Sequence, residues 1–584
     1  MLYDVALPEM AVGTLTYSSP VEIPEGARVI VSVRKNLHVG FILGPSKESP
    51  APKIKIKPVE AIIDSECVID SDLWELALYA SRVCFCSPGA ALSVVLPKAL
   101  ITGENLTAPP EIFKQEKNFQ EENFFNPFDL ERVNFYLNQL ESNERTLILF
   151  PAFELAKKFF EELPEKFKSD SILWPVKNLW PSWKLIHEKK FRVVIGASGG
   201  VFAPLSPEKI IIEDEINSSY IIPPVLNLSA RSLAGHRAMF LGAKFITGGR
   251  LPSLKTFLRA KPEQKFLPER KNIILSDIFY FKTKQESSQG IEGKIPLTLS
   301  LIKNTYRELA KDHNVLWILN RKGESSEVFC ENCGKPVKCS KCGSSMRSEG
   351  GGNFLRCRIC GARKNLPEKC DACGSKFFKG RRPGLEALEK IVSRYFKEVQ
   401  LYNGNFLKTK TRGLILSTQK GLELCGKINL SLIAWLDLDL ELWRPEYDTR
   451  FKVFKLLWDS YWRGREKNSE RKILIQARSS GMKLAKFLVQ GWQNFFENEL
   501  EARREFLMPP YGYMLEVECR DAELREKIIE KFFDTGIFVM DPGEINLPLY
   551  INANSLQPVQ KILAENFSRE LFKKNLLKIT VRNE

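Results

Sequence analysis

Eight of the thirteen cysteines fall in one short window as four Cys-x-x-Cys pairs: Cys330/Cys333, Cys339/Cys342, Cys357/Cys360 and Cys370/Cys373. A Cys-x-x-Cys turn delivers two thiolates from one tight loop. Zinc takes four soft ligands in a tetrahedron, so eight thiolates complete two sites with none left over. Gly334, Gly343, Gly361 and Gly374 follow the second cysteine of each pair. Lacking a side chain, they let the backbone wrap so that amides face the sulfurs. With no coordination position left open, the expected chemistry is structural rather than catalytic. An iron–sulfur cluster and a redox dithiol are the competing readings of the same thiols. A nested pairing is expected, with Cys330, Cys333, Cys370 and Cys373 on one zinc ion and Cys339, Cys342, Cys357 and Cys360 on the other. The remaining cysteines are scattered and read as small core fillers.

The window 330–382 holds thirteen Lys or Arg against four Asp or Glu. A rigid basic knob suits phosphate contact or a protein partner; a solvated surface is the plain alternative. Lys53, Lys55 and Lys57 alternate with isoleucines. They would share one strand face as a rail for phosphates. The whole chain carries a formal charge of +15. That favours a polyanion through counterion release, although a lysine-rich surface kept for solubility gives the same sum. The four histidines form no cluster, and the tryptophans are expected in the core, with Trp462 the least settled.

No apolar run approaches about 18 residues without a charge, so no membrane span is expected. The opening MLYDVALPEM has neither a basic start nor a long apolar run. It does not read as a secretion signal, and a cytoplasmic location is expected.

These groups need elements to position them. At roughly 100–200 residues per domain, 584 residues suggest three to five domains. Residues 1–105 read as a small β-rich domain, with a helix at ELALYASRVCFC. Residues 106–126 read as a polar linker. From 127 to 290, runs such as RTLILF, FRVVIG, KIIIEDE and AKFITGG alternate with helical patterns, which argues for a parallel α/β domain. A second such domain spans 291–329 and 374–511, with NVLWILN, GLILS, SLIAWLD and KILIQA as strands. The cysteine window 330–373 interrupts it. Residues 512–584 read as a small α+β domain. The fold class is therefore multidomain α/β.

Four stretches carry a family resemblance. The cysteine module runs into GRRPGLEALEKIV. RVVIGASGGVFAPL leads to IIIEDEINSSY. ARSLAGHRAMFLGAKFITGGRLPSL follows, and FFENELEARREFLMPPYG comes later. In this order they resemble the primosomal protein N′ (PriA) family of bacterial superfamily-two replication-restart helicases. The resemblance implies an N-terminal domain that recognises a 3′ DNA end, two RecA-like lobes, a zinc insertion in the second lobe and a C-terminal DNA-binding domain. Many members carry a winged helix after the first domain; the short linker here leaves no room for one.

The motor motifs do not carry over. A P-loop needs G-x-x-x-x-G-K-[ST], because glycine amides close on phosphate, the lysine neutralises it and the hydroxyl binds Mg²⁺. No such string exists. Matching FYLNQL to the family's next helix places the loop at NPFDLERV, with Arg132 at the lysine position and Val133 at the hydroxyl position. The family's D-E-E-H becomes Asp214-Glu215-Ile216-Asn217. Its T-R-S-A becomes Ala197-Ser198-Gly199-Gly200, and its S-A-T becomes Gly248-Gly249-Arg250. Of Q-x-x-G-R-x-G-R, Arg463 survives in place, while Asp459 and Glu466 replace the glutamine and the last arginine. Asp214, Glu215 and Arg463 are then relics, and ATP with Mg²⁺ has no cradle.

By the same resemblance, Thr16, Tyr17 and Lys57 match the 3′-end pocket, with Leu15 and Thr16 standing where the family has an aromatic residue and an aspartate. The function expected is binding of forked or single-stranded DNA and recruitment of primosome proteins and the replicative helicase loader, without helicase turnover. Two other readings stay open: an ATP-dependent 3′→5′ DNA helicase with atypical motifs, and a zinc-ribbon RNA-binding scaffold.

Overall fold

The computed structural model describes the chain apart from residues 9–13, 47–55, 107–108, 112–118, 176, 223–226, 279, 283–293, 321–326, 331, 333–334, 342, 344, 349–353, 358–360, 382–384, 405–411, 443–445, 534, 543–546, 573–576 and 583–584. It divides into two compact units. One comprises Met1–Asn126, Leu130–Pro262 and Glu501–Glu584; the other comprises Pro127–Asp129 and Glu263–Leu500.

The first unit begins with a six-stranded sheet in the order Lys57–Pro58, Leu15–Ser18, Leu2–Ala6, Asn36–Pro45, Arg28–Val33, Ala61–Ile62. Alternation builds it: Val29 and Val31 are fully buried while Ile30 between them is not. This is the period-two pattern of a sheet with one covered face. Helices Ser71–Cys84 and Pro88–Val95 follow. The second starts cleanly because the Ser87 side chain accepts the Ala90 N–H at 3.1 Å and Pro88 sits at the first helical position.

A parallel sheet comes next, in the order Gln120–Phe125, Lys244–Gly249, Lys209–Ile212, Thr146–Leu149, Val193–Gly196, Ser171–Leu173. Its inner strands are apolar and β-branched, and Val193–Gly196 and Thr146–Leu149 are buried along their whole length. That is the signature of strands covered on both faces. The expected linker 106–126 needs correction here, since its last six residues form the edge strand Gln120–Phe125. They look polar because an edge strand tolerates charge when it is paired. Glu122 meets Lys244, Glu121 meets Arg259, and the Asn123 side chain accepts the Thr247 hydroxyl at 2.6 Å.

The unit ends in an antiparallel sheet ordered Phe538–Met540, Leu549–Ala553, Tyr513–Cys519, Leu577–Arg582, with helices Ala522–Phe533 and Leu556–Phe572.

The second unit holds another all-parallel sheet, ordered Ile273–Asp277, Lys472–Ala477, Leu430–Trp435, Asn314–Ile318, Leu414–Ser417, Val399–Tyr402. The expected boundary at 290 therefore moves to 262. Ile273–Asp277 pairs with Lys472–Ala477, a partner two hundred residues on that local pattern could not reveal. Trp317, Trp435, Trp458 and Trp462 are buried in this unit, and Trp462 meets Phe128 and Phe266 edge-on. In the first unit, Trp174 and Trp183 are buried as expected. Trp443 lies outside the described residues.

The cysteine insertion leaves this unit through paired strands Glu327–Cys330 and Phe378–Arg381 and carries its own three-stranded sheet, Met346–Ser348, Phe354–Cys357 and Arg363–Asn365. Burial pushes the thiols of Cys67, Cys84, Cys86 and Cys519 up, as suits inert filler cysteines. No helix among the described residues is long and apolar enough to cross a membrane.

Candidate functional site

The cysteine module gathers Cys330, Cys370 and Cys373 so that their sulfurs lie within 4.8 Å of one another, with Cys330 Sγ 3.5 Å from Cys373 Sγ. Zinc–sulfur bonds of about 2.3 Å place tetrahedral ligand sulfurs roughly 3.8 Å apart, so the spacing suits a shared ion. Three turns repeat one geometry. The Ala372 N–H donates to Cys370 Sγ at 3.5 Å, and the Lys341 N–H donates to Cys339 Sγ at 3.4 Å. Gly374, Gly343 and Gly361 return an N–H to the first cysteine's carbonyl at 2.8, 2.9 and 3.1 Å. Their φ angles are 70°, 67° and 72°. Each occupies left-handed backbone that a side chain would strain, which is why glycine follows every pair. These soft donors could hold a metal ion. The structure thus brings together three of the four cysteines expected on the outer site. Cys339 and Cys357 share one small buried core. Cys333, Cys342, Cys360 and Gly334 lie outside the described residues.

The nucleotide crevice of a parallel α/β sheet lies beyond the carboxyl ends of its strands. In the first unit that edge carries Glu213-Asp214-Glu215, Gly248-Gly249 and the turn after Gln120–Phe125. A phosphate cradle needs a strand, a glycine arc and a helix. Here the strand ends at Phe125 and the helix begins at Asp129, leaving three residues to connect them. The Asn126 N–H donates to the Gly249 carbonyl at 3.0 Å, and the Asn126 carbonyl accepts from Arg132 at 2.5 Å. Neither backbone group is left to face a phosphate.

Arg132 is 2% exposed and holds Glu213 through Nε at 2.9 Å and Nη2 at 2.8 Å. One helical turn on, the Tyr136 hydroxyl donates to Glu213 Oε2 at 2.5 Å. Burial, then the neighbouring Glu213 charge, raise the Tyr136 phenol well above its usual range, so it stays a donor. A Cβ on Gly248 would lie 2.0 Å from the Tyr136 hydroxyl. Gly248 is therefore what makes space for this tyrosine. Val133 packs against the sheet core.

The other two acids are matched in the same way. Asp214 has φ 51°, accepts from the Asn217 amide at 2.8 Å and lies 3.8 Å from Arg250. Glu215 accepts Arg231 Nε at 2.5 Å, the Ser253 N–H at 2.7 Å and the Thr256 hydroxyl at 3.0 Å. Each of the three consecutive acids thus faces its own arginine. Sequence reasoning singled out Asp214, Glu215 and Arg132 but missed Glu213, Tyr136, Arg231 and Arg250 as their partners. The available signal was Arg132 and Tyr136 at i and i+4 on one helix face. Arg463, in the second unit, ends helix Thr449–Trp462, and its carbonyl accepts from Arg471 at 2.7 Å.

In the N-terminal sheet, Tyr17 is 4% exposed, and its hydroxyl donates to the Ser32 carbonyl at 3.2 Å. Lys57 Nζ donates to the Ser32 and Arg34 carbonyls at 3.3 and 3.2 Å. Thr16 Oγ1 donates to Asp4 Oδ1 at 3.0 Å from the paired strand. These three residues are thus neighbours along one edge of the sheet. Lys53 and Lys55 lie outside the described residues.

The PriA 3′DNA-binding domain (3′BD) family matches residues 4–97, the stretch that holds this edge. Replication restart protein PriA of Bacillus subtilis is 24% identical over 68% of this chain, and the chain spans about half, 53%, of that protein. Its Rickettsia typhi counterpart is 24% identical over 96% of this chain and 92% of its own length. That of Borreliella burgdorferi is 21% identical over 84% and 82%. The matched domain and these relatives support membership of the PriA replication-restart family.

Proposed function

We propose that this chain binds forked DNA and recruits primosome partners, the helicase loader among them, without turning over ATP. The observation that carries the reading is the buried Arg132–Glu213–Tyr136 network at the place of the phosphate cradle. A triphosphate there would have to break a buried charge pair and the hydrogen bond beside it. Mg²⁺ would have to take carboxylates already held by Arg231 and Arg250. Asp214, Glu215 and Arg463 are, in this reading, remnants of a motor.

The two parallel sheets are then RecA-like lobes, with no winged helix between the first domain and lobe one. The insertion is a double zinc module, its inner and outer cysteine pairs nested, and its basic face meets DNA or a partner. At the 3′-end pocket, Lys57 meets a phosphate and Thr16 meets the terminal hydroxyl. Asp4, one strand over, supplies through Thr16 the carboxylate that the family places at residue 16. Tyr17 has its ring in the core, so its part is to fix Ser32 and Lys57 rather than to stack. Lys53 and Lys55 extend the cationic rail, and the C-terminal sheet adds a further DNA contact. A cytoplasmic, bacterial setting goes with this role.

The deciding experiment is steady-state ATP hydrolysis with forked DNA. No DNA-stimulated turnover above buffer is expected. Stimulated turnover that disappears in Asp214→Asn and Glu215→Gln variants would restore the helicase reading. Fork binding should weaken when the junction's 3′-hydroxyl is replaced by phosphate. Equal affinity for both forks and for RNA hairpins would favour the RNA scaffold instead. In Lys57→Ala, the slope of log affinity against log salt should fall by about one, the loss of a single phosphate contact.

A further inference from the structure

A cavity of about 120 Å³ lies within the first unit, away from the acid–arginine crevice. Ile186, Phe191 and Leu205 give it apolar walls, while Asp70, His187 and Ser206 bring polar groups to it. Ser206 is 2% exposed, and its hydroxyl has no hydrogen-bond partner among the described residues. A hydroxyl left so costs about 1–3 kcal/mol. Its backbone is held in the left-handed region at φ 48°, in a loop tied by the Glu208 N–H to the Arg145 carbonyl at 2.9 Å. A strained loop that keeps a buried hydroxyl unmet is the mark of a site built for something else.

The rim is cationic. Arg145 and Lys189 converge on the single carboxylate of Glu111, at 2.7 and 2.5 Å. Those hydrogen bonds hold Glu111 below the usual carboxylate range against the opposing pull of burial. It stays ionised, and the Glu208 carboxylate lies close by, accepting the Arg145 backbone N–H at 3.1 Å. Deeper in, His187 packs on Trp183 with ring centres 5.0 Å apart. Asp70 accepts the Glu111 N–H at 2.8 Å, and its carboxylate can accept further donors.

At roughly 30 Å³ per water the volume exceeds a water site, and it falls well short of the roughly 300 Å³ where drug-sized pockets begin. It suits one small ring system. Apolar faces, edge groups that both donate and accept, and a positive mouth match a flat heterocycle bearing an anion. We propose that this cavity takes the base of a single nucleotide, with its phosphate on the Arg145–Lys189 rim. Asp70 would accept from a base amino group and Ser206 would meet a ring acceptor. The nucleotide could be free or the unstacked end of a strand.

The test is calorimetric titration of the full chain with the four deoxynucleoside monophosphates, without divalent metal. At least one should bind, with the matching nucleoside and orthophosphate each at least tenfold weaker. Asn tolerates left-handed backbone, so Ser206→Asn should fold, fill the cavity and abolish binding. Ser206→Ala should weaken it roughly three- to tenfold through the lost hydrogen bond. Competition by a short single-stranded oligonucleotide would identify a strand end as the source; its absence would identify free nucleotide. The proposal is overturned by no heat with any monophosphate, by orthophosphate binding as tightly, or by an unchanged titration in both Ser206 variants.

Discussion

Arg132→Ala should be among the most damaging single substitutions in this protein, costing about 3–5 kcal/mol. The loss is not that of a favourable ion pair as such. Burying two charges consumes much of their mutual attraction. What destabilises is the Glu213 carboxylate left in the interior, facing only the Tyr136 hydroxyl. For a unit of this size the shift amounts to roughly 4–7 °C in the midpoint of its calorimetric transition. A double variant gives the sharper check. Arg132→Met with Glu213→Leu removes both charges and should recover most of the loss, leaving the cost of one unpaired tyrosine hydroxyl, about 1–3 kcal/mol. A double variant as unstable as Arg132→Ala would mean that the pair is not coupled as its geometry says. Arg132→Lys should confer no ATP hydrolysis, because the connection before the helix is too short and Val133 offers no hydroxyl.

Cys370→Ser should remove one equivalent of zinc and open the module while sparing both parallel sheets. Structural zinc sites contribute about 10–16 kcal/mol of apparent binding free energy, so a module this small is expected to open when the ion is lost. Metal analysis should fall from two ions per chain to one. Limited proteolysis should then cut between the strands Glu327–Cys330 and Phe378–Arg381, which close the neck of the insertion. Cys339→Ser should remove the other ion. Retention of two equivalents in Cys370→Ser would rule out that cysteine as a ligand.

Local chemistry was legible in the sequence. The Cys-x-x-Cys-Gly turns specify their own geometry within five residues, and the glycine bond that closes them recurs three times among the described residues. The buried strands could be read because β-branched runs have few other places to go. What the sequence hid was long-range. Gln120–Phe125 looks like linker until Lys244 and Arg259 supply its counter-charges. Ile273–Asp277 does not say which of two sheets it joins. Arg132 and Glu213 lie 81 residues apart, and nothing near either one announces the other. The departures from the family's motor motifs were visible singly. That Gly248 makes room for Tyr136 became visible only in three dimensions.

The Tyr136–Gly248 contact gives this arrangement a history as well as a geometry. Any side chain at residue 248 collides with the phenol, and removing the phenol or the guanidinium strands a carboxylate. Under the proposed reading, rebuilding a phosphate cradle one residue at a time would therefore pass through poorly folding intermediates. The contact would then act as a ratchet, released only by several simultaneous changes.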